Sequence, residues 1–128
     1  MAYEKLKQMQ SKIPQWIEKG FSSRDDIDLI EEFGKYLADT ISTSQIRIAY
    51  GEITRLKMQF NESELLMLRP KIAYAAARGK NAKYRELQSA LTTAINTVSE
   101  SADKETAFNN LASFFEATLA YHKAYGGN

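Results

Sequence analysis

The feature that most constrains this chain is a helical repeat of apolar residues that proline and glycine seldom break. Only two prolines and six glycines occur in 128 residues. No run of β-branched residues alternates with polar ones between turn signals, as a sheet would require. Apolar side chains recur instead every three or four residues, a spacing that lines one face of an α-helix. The sequence therefore predicts an all-α protein.

Capping signals divide the apolar pattern into five helices joined by short loops. Polar pairs typical of helix starts occur near Ser23, at Ser42 and at Asn61. The predicted helices cover about 24–40, 44–59, the stretch from Asn61 to Gly79, 82–99 and 104–125. Such helices pack as a compact bundle, and the length fits a single domain over residues 1–128.

Proline and glycine predict irregularities in two places. In residues 1–20 an apolar stripe is interrupted by Pro14 and ends at Gly20, so this segment is either an additional short docked helix or a mobile, loosely docked arm. In the third predicted helix, Pro70 indicates a start or a kink. Gly79 suits the left-handed position after a helix end.

Composition excludes several classes of protein. The chain has no cysteine, which removes disulfides, thiolate metal sites and cysteine nucleophiles. Its apolar runs are far shorter than the roughly 20 residues of a membrane span, and its N-terminus lacks the apolar segment of a signal peptide. We expect a cytoplasmic protein that does not contact membranes.

Candidate catalytic groups are few. The one histidine, His122, falls beside the apolar stripe of the last helix, which favours a core or interface role. One histidine does not build a di-metal bundle site or a catalytic triad. Asp25, Asp26 and Asp28 suit a helix start, where the helix dipole favours negative charge. We expect no enzyme activity, no metal and no cofactor.

Charge is distributed unevenly along the chain. The formal charge sums to −2 over residues 1–41, +6 over 42–85 and −3 over 86–128, although the whole chain carries only +1. One interpretation is a positive face that attracts a polyanion. The other is an ordinary solvated helix surface.

The spacing of these cations places them on particular helix faces. Arg47, Gly51 and Arg55 share one side of the second predicted helix. A glycine inside a helix costs about 1 kcal/mol relative to alanine, so Gly51 indicates close approach of either a phosphate backbone or another helix. Lys71 and Arg78 share one face of the third predicted helix.

Further cations and aromatic residues lie in the same part of the chain. Arg69 and Lys80 share a second face of the third predicted helix, and Lys57 is a weaker candidate for the same chemistry. Three tyrosines alternate with these charges and fit either stacking on bases or half-buried core positions: Tyr50, Tyr74 and Tyr84.

Three segments together resemble a known family. They are SQIRIAYGEI at 44–53, LMLRPKIAYAAARGK at 66–80 and FFEATLAYHKAYGG at 114–127. In order and spacing they are similar to the small subunit of type III-A CRISPR–Cas effector complexes, the helical subunit of the Csm complex. The resemblance covers about residues 42–127.

The resemblance implies a non-enzymatic role in antiviral defence. Copies of such a subunit stack on one another beside the backbone and large subunits of the complex and hold the duplex of guide RNA and target RNA. The residues carried over as RNA contacts are Arg47, Arg55, Arg69, Lys71 and Arg78, with Lys57 and Lys80 as weaker candidates.

Two alternatives stay open at this point. A freestanding helical adapter that binds only proteins would use the same cations for acidic partner surfaces. In the last predicted helix, a second apolar stripe at Phe114, Ala117 and Tyr121 fits either a central helix of the bundle or a contact between copies.

Overall fold

The computed structural model describes residues 1–79 and 81–127, with the side chains of residues 43–45 outside the description. The described part holds six helices and no strand, so the predicted all-α class is confirmed. The ends of the five predicted helices agree with the observed ends within about two residues. The helices are α1 (Tyr3–Lys19), α2 (Arg24–Ala38), α3 (Thr43–Met58), α4 (Glu62–Gly79), α5 (Ala82–Glu100) and α6 (Lys104–Ala124). None of these helices combines the length and the apolar character that crossing a membrane requires.

Side-chain caps explain where four of the helices begin. Oxygen atoms of Ser23, Asn61, Asn81 and Asp103 accept hydrogen bonds from backbone amides in the first turns of α2, α4, α5 and α6. Each cap satisfies an amide that lacks a partner within its helix, which is why these short polar residues mark helix starts. The predicted starts near Ser23 and at Asn61 are confirmed by these bonds.

Both prolines lie inside helices. α1 continues through Pro14, so the predicted interruption there is wrong, and α4 begins well before Pro70, so Pro70 does not start that helix. An interior proline removes one hydrogen bond and costs about 3 kcal/mol. Packing offsets this cost in α1, because Ile13, Trp16 and Ile17 on either side of the proline are fully buried.

A left-handed glycine follows α1, but none follows α4 directly within the described residues. Gly20 follows α1 with a φ of 81°, a left-handed conformation that glycine adopts without strain. Gly79 is the last residue of α4, and among the described glycines only Gly20 and Gly126 have a positive φ. The prediction of a left-handed Gly79 is therefore wrong.

The N-terminal segment forms a helix of 17 residues, longer than the short helix that the sequence suggests. It packs on α2, α5 and α6. Leu6 and Met9 are buried along it, and the Trp16 ring lies 5.8 Å from that of Phe114 in α6. Burial of these side chains attaches α1 to the rest of the bundle.

α6 occupies the centre of the bundle. It packs against α1, α2, α3 and α5, and it buries Phe108, Phe114 and Phe115. Of the two interpretations of its second apolar stripe, the structure supports the central helix, because Phe114 contacts Trp16 of the same chain. Phe114 of that stripe therefore packs on α1, and Tyr121 lies against Gly34 of α2.

α2 and α6 approach each other closely at Gly34. A Cβ atom at Gly34 of α2 would lie 2.6 Å from the Cβ of Tyr121 and 2.9 Å from the carbonyl oxygen of Thr118. Real Cβ atoms do not approach so closely, so this crossing requires glycine. The absent side chain lets two backbones meet at close range.

α3 and α4 form the outer part of the bundle on one side. Among the described residues, α3 packs on α4 and α6, and α4 packs on α3 and α5. Each helix buries one apolar face, with Ile53 and Leu56 in α3 and Leu68 and Ile72 in α4. The opposite faces of both helices are left at the surface of the chain.

Candidate nucleic-acid interface

The exposed faces of α3 and α4 carry the cations that the sequence predicts to bind RNA. Six of the seven predicted residues are described, all six are exposed, and we name this set the basic surface. Its members are Arg47, Arg55, Lys57, Arg69, Lys71 and Arg78. The seventh, Lys80, lies outside the described residues.

Glu52 links two members of the basic surface. Its carboxylate lies 2.6 Å from Arg55 in the same helix and 3.3 Å from Lys71 in α4. Arg55 also contacts Glu64 of α4 at 2.7 Å. The hydrogen bond from Arg55 lowers the pKa of Glu52, and Lys71 contributes in the same direction. The hydrogen bonds to Glu52 and Glu64 raise the pKa of Arg55. Arg55 and Lys71 are thus held by carboxylates within the chain.

Lys57 is paired on the other side of α3. Its ammonium lies 3.0 Å from a carboxylate oxygen of Glu116 in α6. This pair joins two elements that are far apart in sequence, and both side chains are about two-fifths exposed. Exposed pairs of this kind contribute about 0–1 kcal/mol to stability, so Lys57 is available for exchange with another anion.

The other three members of the basic surface have no carboxylate partner among the described residues. Arg47, Arg69 and Arg78 are exposed and make none of the ion pairs found there. Arg69 lies about 200° around α4 from Lys71, so it points away from the face that Lys71 shares with Arg78. Of these three arginines, Arg47 and Arg78 border grooves described below.

A groove of about 500 Å³ lies where α3, α4 and the start of α5 meet. We name it the α3–α4 groove. Its lining combines two cations with apolar and aromatic side chains and contains no carboxylate: Ile48, Lys71, Tyr74, Ala75, Arg78, Gly79 and Tyr84. The structure therefore brings Lys71 and Arg78 together on one side of this groove.

A second groove of about 480 Å³ lies between α3 and α6, and its lining is Arg47, Tyr50, Glu116, Leu119, Ala120 and Lys123. Lys123 is exposed and joins Arg47 there. Sequence reasoning missed Lys123, because the net charge of −3 over residues 86–128 conceals the two lysines of that segment. Its place in the third resemblance segment is the signal that points to it.

Gly51 has no internal neighbour to explain it. It is exposed in α3, and a Cβ atom added there would have no atom within 4 Å among the described surroundings. Packing against another helix of the same chain, one of the two interpretations of this glycine, is therefore wrong. Approach by an external group is the interpretation left.

The three candidate tyrosines lie in different environments. Tyr84 is buried, with 3% of its surface exposed, so a base does not reach its ring. Tyr50 is 37% exposed and stacks on Phe115 at 6.4 Å. Tyr74 is 67% exposed in the α3–α4 groove. Only Tyr74 presents most of its ring to solvent.

His122 belongs to the core. It is fully buried, and its Nε2 atom is hydrogen-bonded to the carbonyl of Ile41 just after α2. The ring thus holds the loop after α2 against α6. Within the described residues, no group of three or more histidine, aspartate or glutamate side chains is placed to hold a metal ion.

Asp26 at the start of α2 has structural contacts. Asp26 accepts a hydrogen bond from the backbone amide of Ser22, and its own amide donates to Ser23. Lys12 of α1 lies 3.5 Å from its carboxylate. Asp26 therefore links α1 to the first turn of α2, which agrees with the capping role that the sequence predicts.

Comparison with protein families gives one match. The family model described as Csm2 Type III-A matches residues 22–128, which include all of α2 to α6. No curated protein and no solved structure matches the chain significantly. The matched range includes the three segments that carried the resemblance, and it extends that resemblance toward the N-terminus to the loop after α1. The chain therefore belongs to the Csm2 family of type III-A CRISPR–Cas systems and is a small subunit of the Csm complex.

Proposed function

We propose that this small subunit is non-catalytic and contacts the backbone of the guide RNA–target RNA duplex through its basic surface, without reading sequence. The observation that carries the proposal is the set of exposed arginines at Arg47, Arg69 and Arg78, which have no carboxylate partner among the described residues. An exposed guanidinium without a counterion within the chain favours an anionic partner outside it.

The ion pairs within the chain predict how much each cation of the basic surface contributes to RNA binding. Arg55, Lys57 and Lys71 must exchange a carboxylate of Glu52, Glu64 or Glu116 for a phosphate, so each adds less net binding free energy than an unpaired arginine. We therefore expect Arg47 and Arg78 to contribute most. Arg69, on another side of α4, is expected to meet a different stretch of backbone or a neighbouring subunit.

Phosphate contacts explain how such a subunit would accept any target. Base pairing between guide and target supplies sequence recognition, so the protein needs only the shape and charge of the duplex. Binding by one copy is expected to be weak and dependent on salt. Further copies of the chain along the duplex, together with the backbone and large subunits, would supply avidity.

Salt titration of RNA binding tests the proposal. We compare the wild type with the triple variant Arg47→Ala, Arg69→Ala and Arg78→Ala on a paired RNA duplex, by fluorescence anisotropy at several salt concentrations. If about four phosphates are neutralised, the slope of log affinity against log salt is roughly −3 to −4 for the wild type. The triple variant should reduce the steepness of that slope by about 2 to 3.

A matched control removes the same charge elsewhere. Lys5, Lys19 and Arg24 are exposed on α1 and at the start of α2, away from the basic surface. Their triple alanine variant should keep the wild-type slope. Equal salt slopes for all three proteins would contradict the proposal. Retention of protein partners without RNA would favour a helical adapter that binds only proteins.

A further inference from the structure

The α3–α4 groove differs from the other grooves on the bundle in its charge. Lys71 and Arg78 border it, and its lining among the described residues contains no aspartate or glutamate, although Lys71 is paired with Glu52 and must exchange that carboxylate for another anion. The groove between α3 and α6 includes Glu116, and a groove beside the first half of α2 includes Asp25 and Asp28. An anion would therefore meet no carboxylate in the lining of the α3–α4 groove.

The same groove exposes an unusual amount of apolar surface. Tyr74 is 67% exposed and Ile48 is 60% exposed. Tyr74 makes none of the ring contacts or hydrogen bonds found among the described residues, whereas Tyr50 stacks on Phe115 and Tyr125 donates to Glu31. A planar apolar ligand would cover this ring, because stacked aromatic rings bury the faces that water contacts.

The spacing of charge and ring along α4 is regular. Lys71, Tyr74 and Arg78 are three and four residues apart, which places them on one helix face with the tyrosine between the cations. The two cations are about 10 Å apart along the helix axis. A ligand that fits has a flat apolar part at the centre and negative charge on both sides of it.

We propose that the α3–α4 groove binds an unpaired RNA base. The base stacks on Tyr74 beside Ile48, and the phosphates on either side of it bind Lys71 and Arg78. The groove volume of about 500 Å³ lies within the range of small-ligand pockets. Stacking accepts any base, so this site is compatible with a subunit that does not read sequence. The inference rests on the proposed function, since it adds a base-binding site to the same RNA-binding side of the chain.

A comparison of two RNA duplexes tests this site. One duplex is fully paired, and the other is identical except for a single unpaired 2-aminopurine in one strand. The wild-type chain should bind the second duplex about fivefold more tightly or better. The 2-aminopurine fluorescence should fall on binding, because stacking on the Tyr74 ring quenches it.

Substitution of Tyr74 separates stacking from charge. Tyr74→Ala and Tyr74→Leu should remove the preference for the duplex with the unpaired base and the fluorescence quenching. Both variants should bind the paired duplex with unchanged affinity. Tyr74→Phe should retain the preference and the quenching. Tyr3 on α1 is 68% exposed and provides the matched control. Tyr3→Ala should behave as the wild type, and all variants should unfold at the wild-type midpoint.

The outcomes distinguish this inference from the proposed function. Equal affinity for both duplexes, with no effect of Tyr74→Ala, would overturn the base site and leave backbone binding intact. Failure to bind either duplex would contradict both proposals. If Tyr74→Ala instead releases the chain from the Csm complex without changing RNA binding, the groove holds a protein segment and the inference is wrong.

Discussion

Two glycines inside helices show how differently the two sides of this bundle are built. Gly34 lies where α2 crosses α6, and an added Cβ would lie 2.6 Å from the Cβ of Tyr121. Gly51 lies on the exposed side of α3, and an added Cβ would meet nothing within 4 Å. The first glycine is explained by the fold of the chain itself. The second costs helix stability, and no neighbour among the described residues accounts for it.

The largest expected effect is at the helix crossing. Gly34→Ala should lower the free energy of unfolding by about 2 kcal/mol, because the clash with Tyr121 and the Thr118 carbonyl exceeds the gain in helix propensity. Denaturant unfolding followed by circular dichroism measures the change. An unchanged or raised midpoint would show that α2 and α6 are not in close contact.

The next largest effect on the free energy of unfolding is expected at Asp26, a buried carboxylate on the packed side of the bundle. Burial by itself raises the pKa of Asp26, but hydrogen bonds from Trp16, Ser22 and Lys12 lower it below its ordinary value of 3.8. A carboxylate with a lowered pKa stabilises the fold above about pH 4, and this contribution is lost as the pH falls through its pKa in the folded state.

Asp26→Asn should therefore lower the free energy of unfolding by about 1–2 kcal/mol at pH 7. The difference from the wild type should shrink below pH 4. The neighbouring Asp25 is exposed, and Asp25→Asn is the control, with little expected change. Unfolding midpoints measured from pH 3 to pH 7 check both variants, and a difference that does not depend on pH would contradict the assignment.

Gly51→Ala should have the opposite sign from Gly34→Ala. In the isolated chain it should raise the free energy of unfolding by about 0.5–1 kcal/mol, because alanine favours the helix and has open space. In the same preparation, its affinity for a paired RNA duplex should fall if a phosphate backbone approaches α3 here. A stabilised variant with unchanged affinity would remove RNA as the explanation for this glycine.

The smallest effect on stability is expected at Glu52. The pKa of Glu52 is lowered chiefly by the hydrogen bond from Arg55, yet these are surface contacts, so Glu52→Gln should change the free energy of unfolding by less than about 0.5 kcal/mol. The variant removes the carboxylate partner of Lys71 and leaves Arg55 paired with Glu64 alone, so it should bind RNA more tightly, with a steeper salt slope. Glu105→Gln, an exposed change on α6, is the control for net charge.

Local signals made the helix positions predictable. Asn61 caps α4 through the amide of Glu64, three residues away, and such a short-range bond can be read from the sequence. Pro14 misled because its effect depends on packing against a distant part of the chain, such as that of Trp16 against Phe114. Packing of this kind has no signature in the nearby sequence.

The sequence predicts which cations share a helix face, but it does not predict which of them form ion pairs within the chain. Helical spacing correctly indicates that Lys71 and Arg78 share a face of α4 and that Arg69 does not. The pairing of Lys57 with Glu116 joins residues 59 positions apart. Long-range ion pairs depend on how the helices pack, so the sequence alone does not separate the paired Arg55 and Lys71 from the unpaired Arg47 and Arg78.

Photo-crosslinking in the assembled Csm complex tests the central claim most directly. Thr54 is exposed on the same face of α3 as Arg47, and Ser11 is exposed on α1. A benzophenone amino acid replaces one or the other, and adducts are identified after irradiation of the complex with its target RNA. The account predicts RNA adducts from position 54 and none from position 11. Adducts from position 54 to protein subunits alone would contradict it.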